Sequence, residues 1–214
     1  MDIVRPSKIV CVGLNYVDHA TEVKLELPTR PLLFAKWPSA VIGDSDEIVI
    51  PEGIENVDYE AELAVIIGRS TRDVSVEDAL ESVAAYACLN DVSARLEQVS
   101  DGQWTRAKSF DTFCPIGARV PADQITDPGS LAIQCRVNGE TVQDATTADL
   151  IFGVSELISY ISRGITLEPG DIVATGTPPG VALGRDAGHY LADGDTVEVE
   201  IQQIGVLRNT VRCA

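Results

Sequence analysis

Apolar residues along this chain fall into short runs separated by glycine and proline turns, a pattern typical of β-strands. Helical segments are expected at residues 16–27, 75–86, 93–99 and 155–161, with Ser75 and Ser155 as helix caps. Strands are expected at residues 8–12, 32–35, 47–50, 58–67, 131–137, 140–143, 171–175, 196–202 and 206–211. Because strands predominate and do not alternate with helices, the pattern predicts a β-rich α+β fold in one domain, residues 1–214.

The strongest apolar run, residues 58–67, carries two glutamates at positions where a strand would bury them. Residues two apart point to the same face of a strand, so Glu60 and Glu62 project together. Two neighbouring carboxylates on an apolar strand repel each other and lose hydration, and a bound cation would relieve both penalties. The alternative is an edge strand whose outer face is exposed to solvent.

Asp91 is a third candidate ligand, because it follows a second apolar run at residues 85–89. Residues at such strand ends often face a site, although a simple helix cap is the alternative. Three carboxylates without a cysteine or histidine cluster favour a hard cation with oxygen ligands.

His19 and Glu22 lie three apart on an expected helix and are therefore neighbours on its surface. A carboxylate beside a histidine can orient the ring and raise its basicity, as general-base catalysis requires, whereas an ordinary surface pair is the alternative. The other histidine, His189, lies in a glycine- and aspartate-rich loop and is the weaker candidate. Lys108, one of four lysines, could bind a carboxylate, or could rest its stem on apolar neighbours at the surface.

Composition narrows the possible partners. The formal net charge of −17 opposes binding to phosphate backbones and anionic lipid, so neither nucleic acid nor a membrane is an expected partner. No apolar run approaches the roughly 20 residues of a membrane span, and the N-terminal residues lack a signal-peptide pattern. The five cysteines are widely spaced, which favours free thiols in a cytoplasmic protein.

Taken in order, the motifs resemble those of the fumarylacetoacetate hydrolase family. The matching blocks are GLNYVDHATE, FAKWPSAVIG, DYEAELAVIIG, NDVSARLEQ, WTRAKSFDTFCPIG, VNGETVQ, LEPGDIVATGTPPGV and DGDTVEVEIQQIG. The resemblance implies a mixed β-roll or sandwich-like barrel with a few short helices, in the short form of the family, and a homodimer.

The resemblance also implies roles for individual residues. The metal, Mg²⁺ or Mn²⁺ with Ca²⁺ as an alternative, would be held by Glu60, Glu62 and Asp91. His19 and Glu22 would form the catalytic dyad, and Lys108 would be a further catalytic residue. Substrate contacts are expected from Asn15, Arg95, Gln98 and Thr177. One position departs from the family motif, since Leu96 stands where an aspartate is usual, and this puts the polar network around Arg95 in question.

The activity implied is metal-dependent hydrolysis of a C–C bond in a small, anionic, acylpyruvate-type 2,4-dioxo acid, such as acetylpyruvate or fumarylpyruvate. Oxaloacetate decarboxylation is the nearest alternative, since it uses the same stabilised enolate without an attacking water. A 2-hydroxyhepta-2,4-diene-1,7-dioate isomerase or a 5-oxopent-3-ene-1,2,5-tricarboxylate decarboxylase of aromatic catabolism is a further alternative. A non-catalytic binding protein on the same fold is the least favoured.

Overall fold

The computed structural model describes residues 6–22, 26–185 and 189–214. Its strands are β1 (Ile9–Gly13), β2 (Leu32–Lys36), β3 (Val41–Ile42), β4 (Glu47–Ile50), β5 (Val57–Asp58), β6 (Ala61–Ile67), β7 (Val83–Asn90), β8 (Ser93–Ala94), β9 (Cys114–Pro115), β10 (Val120–Pro121), β11 (Ala132–Val137), β12 (Glu140–Thr146), β13 (Ile172–Ala174), β14 (Thr196–Ile201) and β15 (Gly205–Cys213). The α-helices described are α1 (Val17–Glu22), α2 (Arg95–Asp101), α3 (Trp104–Ala107) and α4 (Val154–Ser162).

Two large mixed sheets organise these strands. The first has the order β10-β7-β6-β13-β1-β2 and the second the order β12-β11-β14-β15-β4. Pairing is antiparallel within both sheets except between β1 and β13 and between β15 and β4. Neither strand order returns to its starting strand, so both sheets are open. The β-rich α+β class predicted from the sequence is confirmed.

Strand β6 lies inside the first sheet and is buried along its whole length. Its odd-numbered residues, such as Leu63 and Val65, join the main hydrophobic core. On the opposite face, Ala64 and Ile66 join a second, smaller core. Glu62 shares that second face, at the end where the apolar packing stops, and this places a carboxylate at the boundary between core and cavity.

The helix expected over residues 75–86 is wrong. Residues 79–82 form a single 3₁₀ turn, and the chain then enters β7, which pairs with β6 over its length. The Ser75 hydroxyl accepts a hydrogen bond from the Asp78 N–H at 3.1 Å, so the capping pattern closes a turn instead. Because β7 is apolar on both faces, its sequence does not show the alternation that marks a half-buried strand.

Helix ends also differ from the sequence expectation. Helix α4 is capped at Gly153, not at Ser155, because the Glu156 carboxylate accepts the Gly153 N–H at 2.9 Å. Helix α1 begins at Val17, and the rest of the helix expected to residue 27 falls partly on residues 23–25, outside the described residues. Among the described helices, none has the length and apolar character needed to cross a bilayer. All five cysteines are free thiols, as expected.

Candidate metal centre and active site

Three carboxylates meet where β6 begins and β7 ends. One oxygen from each of Glu60, Glu62 and Asp91 lies within 4.8 Å of the others, and all three residues are buried. Two hydrogen bonds join the strand ends: the Asp91 N–H donates to the Glu60 carbonyl at 2.9 Å, and the Glu60 N–H donates to Asn90 Oδ1 at 2.9 Å. The antiparallel pairing of β6 with β7 therefore brings Asp91 to the two glutamates.

Two buried lysines face this cluster. Lys108 Nζ donates to Glu60 Oε2 at 2.7 Å, to Asp91 Oδ2 at 2.8 Å and to Ser93 Oγ at 2.7 Å, which uses all three of its protons. Lys36 Nζ donates to the other Asp91 oxygen, Oδ1, at 2.6 Å. Asp91 thus has one ammonium group on each carboxylate oxygen, and its orientation is fixed from both sides.

Arg95 forms the third cationic group. Its Nη2 donates to Glu60 Oε1 at 2.6 Å and its Nε to Asp58 Oδ2 at 2.8 Å. Its Nη1 donates to Gln98 Oε1 at 2.9 Å. Leu96, which replaces the usual aspartate, is 48% exposed, and the hydrogen bonds of Arg95 are formed without it.

Charge in the cluster does not balance. Asp58, Glu60, Glu62 and Asp91 supply four carboxylates, whereas Lys36, Arg95 and Lys108 supply three cations, if all are ionised. Within the described part of the chain, Glu62 has no ion pair, and its Oε2 accepts only the Gly176 N–H at 2.9 Å. Three buried carboxylates as donors, in a cluster that has one negative charge in excess, fit a divalent cation.

The pKa values of Glu60 and Glu62 shift in opposite directions, because the cations pair with Glu60 and not with Glu62. Burial acts to raise the pKa of Glu60, but Lys108 and Arg95 overcome it and lower that pKa to about 2. Burial, then the charges of Asp91 and Glu60, raise the pKa of Glu62 well above its usual range. Burial lowers the pKa of Lys108, but Asp91 and Glu60 outweigh it and the net shift is upward. Of these two glutamates, Glu62 is therefore the one that is more readily protonated when no metal is bound.

The dyad expected on α1 forms at the same site. His19 is buried, and its Nδ1 lies 3.3 Å from Glu22 Oε2. Glu22 is held in turn by the Gly180 N–H, which donates to its Oε1 at 3.0 Å. A Cβ at Gly184 would come within 2.3 Å of the Glu22 carboxyl carbon, so a larger residue there would displace the Glu22 side chain from its present position.

A cavity of about 340 Å³ joins these groups. Seven polar or charged residues line it, and all seven are site candidates named from the sequence: His19, Glu60, Glu62, Arg95, Gln98, Lys108 and Thr177. Its apolar lining includes Val12, Leu14, Phe34, Val99, Trp104 and Leu183. The cavity thus places His19 in the same space as Glu60 and Glu62 of the carboxylate cluster.

Asn15 occupies a different position from the other expected substrate contacts. Its Nδ2 donates to the carbonyls of Phe152 and Thr175, at 3.0 and 2.8 Å, and its Oδ1 accepts the Phe152 N–H at 2.8 Å. The side chain does not line the cavity just described. In this structure Asn15 joins two backbone segments behind the site.

Sequence reasoning missed Lys36, Asp58 and Gln143. Lys36 stands in an apolar strand, LLFAK, where a lone lysine signals a buried partner. Asp58 has the same strand parity as Glu60 and Glu62, a signal available in the sequence. Gln143 gave no local signal, since its partners Ala61, Thr177 and Pro178 are distant in sequence.

A family profile described as fumarylacetoacetate (FAA) hydrolase C-terminal matches residues 8–212. This chain belongs to the fumarylacetoacetate hydrolase family. Human mitochondrial oxaloacetate tautomerase FAHD2A is 44% identical to it over 212 residues, which cover 98% of this chain and 68% of the relative.

Two solved structures show how similar the fold is and how varied the named activities are. The 2-hydroxyhepta-2,4-diene-1,7-dioate isomerase from Mycobacterium marinum has a TM-score of 0.87 and 42% identity, covering 98% of this chain and 75% of that one. Fumarylpyruvate hydrolase from Pseudomonas aeruginosa, in complex with Mn²⁺ and pyruvate, has a TM-score of 0.89 and 33% identity, covering 98% and 91%. The family therefore contains hydrolases, isomerases and tautomerases.

Proposed function

We propose that this protein is a divalent-metal-dependent hydrolase that cleaves a C–C bond in a small acylpyruvate-type 2,4-dioxo acid. The observation that carries the proposal is the His19–Glu22 pair, which shares one cavity with the carboxylates of Glu60 and Glu62. A buried base next to a cation site is the arrangement needed to activate water beside a stabilised enolate.

Glu60, Glu62 and Asp91 would hold the metal, with Mg²⁺ or Mn²⁺ as the proposed ion because all three donors are carboxylates. A metal bound there would act as a Lewis acid toward the oxygens of the 2-oxo acid and stabilise the negative charge of its enolate. The relative solved with Mn²⁺ and pyruvate supports this assignment.

His19 supplies the base. When its Nδ1–H is donated to Glu22, the lone pair remains on Nε2, which can take a proton from water. The hydroxide formed attacks the acyl carbonyl, the bond between that carbon and C3 breaks, and its electron pair forms the pyruvate enolate. The proton held by His19 then passes to C3, so the products are pyruvate and a carboxylic acid.

Cationic and hydroxyl groups prepare the cavity for an anion. Arg95 and Lys108 place positive charge beside the carboxylates in a buried setting, where electrostatic interactions are strong. The Thr177 Oγ1 accepts a hydrogen bond from Gln143, at 2.8 Å, which leaves its own proton free to be donated into the cavity.

Tautomerisation of a 2-oxo acid is the second candidate, favoured by the 44% identity to an oxaloacetate tautomerase over 98% of the chain. This reaction needs the same enolate, and His19 would move the C3 proton without activating water. Oxaloacetate decarboxylation and the isomerase reaction draw on the same chemistry. Assays of acetylpyruvate, fumarylpyruvate and oxaloacetate side by side, each with Mn²⁺ and with chelator, separate these possibilities by their products.

The decisive variant is His19→Ala. We expect Mn²⁺ binding to be unchanged, whereas hydrolysis should fall by about 10²–10⁴-fold because the general base is lost. His189→Ala is the matched control, since the other histidine lies outside this cavity and should leave turnover unaltered. Unchanged hydrolysis in His19→Ala would remove the dyad from the mechanism. Full activity of a Glu60→Ala/Glu62→Ala variant in chelator would refute the metal-dependent reaction altogether.

A further inference from the structure

The residues that line the cavity also indicate the charge and polarity of the part of the substrate that does not react. We propose that the substrate is a monoanion whose acyl tail is uncharged and apolar, and that this tail lies against Phe34, Trp104 and Val99. The inference rests on the proposed function, because it takes the 2-oxo acid group to lie at the carboxylate cluster. It sets this chain apart from relatives named for fumarylpyruvate and oxaloacetate, both of which carry a second carboxylate.

An aromatic wall faces the cavity. The rings of Phe34 and Trp104 meet edge to face with centroids 5.4 Å apart, and both residues line the space. Trp104 packs so closely on β1 that a Cβ at Gly13 would lie 2.5 Å from its ring. The indole therefore packs directly against the backbone of β1 at Gly13, where a larger residue would collide with it.

Two further apolar residues lie at the cavity mouth. Val99, near the end of α2, is 78% exposed, and Leu183 is 44% exposed. Both line the same cavity as the aromatic wall. An apolar tail would cover part of this exposed surface, at about 25 cal/mol for each Å² removed from water. A carboxylate in the same place would lose hydration and would meet no uncommitted cation among the described residues that line the cavity.

The cations of the cavity are already committed. Among the described residues that line it, the cationic side chains are Arg95 and Lys108. Lys108 uses its three protons on Glu60, Asp91 and Ser93, and Arg95 is shared among Asp58, Glu60 and Gln98. Neither is free to bind a second carboxylate at the far end of a substrate.

The charge of the whole site leads to the same conclusion. With its ionisable groups charged, the carboxylate cluster has one negative charge in excess, and Glu22 adds a second when His19 is the neutral base. A divalent metal would therefore bring the whole site to no net charge, and the first substrate carboxylate would be bound by that metal. A second carboxylate would add an uncompensated negative charge in a partly buried cavity with an apolar wall, which is unfavourable.

The test compares two substrates that differ only at the tail. Butyrylpyruvate ends in a methyl group where succinylpyruvate ends in a carboxylate, and the two chains are otherwise matched. With Mn²⁺ present, we expect kcat/KM to be at least about tenfold higher for butyrylpyruvate. Equal values, or a preference for succinylpyruvate, would overturn the inference and leave the hydrolase proposal standing.

A binding measurement keeps the two proposals separable. Calorimetry with Mn²⁺-loaded enzyme compares the binding of 2-oxohexanoate, which ends in a methyl group, with that of 2-oxoadipate, which ends in a carboxylate. Neither ligand has a 4-oxo group, so neither can undergo acylpyruvate cleavage. We expect 2-oxohexanoate to bind at least about tenfold more tightly. If neither acylpyruvate is hydrolysed but this preference is found, the hydrolase proposal fails and the apolar tail stands. If 2-oxoadipate binds as tightly or more tightly, the apolar tail is refuted.

A charge placed at the mouth should reverse the preference. Val99→Arg adds a cation at an exposed position, so kcat/KM for succinylpyruvate should rise about fivefold or more over the value in Val99→Gln, which is polar but uncharged. Butyrylpyruvate should respond little to the charge. No gain for succinylpyruvate would show that the tail does not approach Val99.

Lys24 lies outside the described residues, and its substitution tests for a further cation at the tail. In Lys24→Ala the ratio of kcat/KM for butyrylpyruvate to kcat/KM for succinylpyruvate should equal the wild-type ratio. A larger ratio would reveal that Lys24 acts on the tail carboxylate and would count against the inference.

Discussion

Two of the four lysines of this chain, Lys36 and Lys108, are almost fully buried, and both donate to Asp91. Burying an ammonium group is unfavourable unless it is paired, so these contacts couple the stability of the fold to the carboxylate cluster. At the scale of single residues, the site is an arrangement in which each charge depends on its neighbours.

Lys36→Met tests that dependence. Removing one ammonium leaves Asp91 with an unpaired buried oxygen, and we expect the free energy of unfolding of the metal-free protein to fall by about 3–5 kcal/mol. Saturating Mn²⁺ should recover part of the loss, because a divalent cation replaces the missing charge. Urea denaturation with and without Mn²⁺ measures both effects. The exposed pair of Arg69 with Glu81 is the control, and Arg69→Met should cost less than about 1 kcal/mol; equal losses in the two variants would contradict the prediction.

Glu62 makes the stability of the metal-free protein depend on pH. Burial, then Asp91 and Glu60, raise its pKa above the ordinary value of 4.5, so the folded state binds a proton that the unfolded state releases. The stability that this proton contributes is fully present below pH 4.5 and is lost as pH rises through the raised pKa. Glu62→Gln removes this titration. The stability of the variant should therefore fall less steeply than that of the wild type as pH rises above 4.5.

The same variant separates stability from metal binding. Glu62→Gln should not bind Mn²⁺ well, because the ion needs the ionised carboxylate, although the metal-free variant folds normally. Guanidinium denaturation across pH 5–8 in chelator gives the first comparison, and Mn²⁺ titration the second. The stabilisation from Glu60, whose pKa is about 2, is lost only as pH falls from 4.5 toward that value and affects both proteins alike. Parallel pH profiles for wild type and variant would show that Glu62 is ionised without metal.

At the scale of elements, strand β12 connects the second sheet to the site. Gln143 Oε1 accepts the Ala61 N–H at 2.9 Å, while its Nε2 donates to Thr177 Oγ1 and to the Pro178 carbonyl, both at 2.8 Å. One buried amide thus joins the start of β6 to the loop that presents Thr177. Gln143 therefore holds the first sheet, the second sheet and the Thr177 loop together next to the cavity.

Gln143→Leu should release this loop. Three polar groups lose their partner in a buried position, so we expect a loss of at least about 2 kcal/mol of stability. KM should rise by more than the corresponding change in kcat, because Thr177 loses its hydrogen-bond partner directly, whereas the dyad is affected only through the Gly180 N–H farther along the loop. Steady-state kinetics and urea denaturation measure the two effects. Gln134→Leu on the neighbouring strand β11 is the control, since its side chain bonds to exposed Asp144; a KM unchanged in Gln143→Leu would exclude this positioning role.

At the scale of the whole molecule, the net charge of −17 opposes the approach of an anionic substrate. Raising NaCl from 0.01 to 0.15 M shortens the Debye length from about 30 Å to about 8 Å, which screens distant repulsion but not contacts within the cavity. We therefore expect kcat/KM for an acylpyruvate to rise by about two- to fivefold. Sucrose at matched osmolality is the control. A fall of kcat/KM with salt would mean that Arg95, Lys108 and the metal dominate the field that the substrate meets.

The sequence by itself determined the features that depend on local spacing. The strands expected over 131–137 and 140–143 pair as a hairpin, and the two residues between them, Asn138 and Gly139, adopt the positive φ that such a turn requires, 51° and 81°. Glu60 with Glu62, and His19 with Glu22, are each close in sequence, so strand and helix periodicity were enough to pair them. The family motifs added Asp91 to the cluster, and the structure brings it there.

Tertiary structure alone decided what depends on long-range contact. Lys36 meets Asp91 across 55 residues, and no local pattern could show that pairing. Residues 83–86, expected as the end of a helix, became part of a strand because they pair with β6 and β10 on either side, and an all-apolar run has no period to read. The opposite pKa shifts of Glu60 and Glu62 arise in the same way, since the two neighbouring glutamates differ in which cations the fold brings to them.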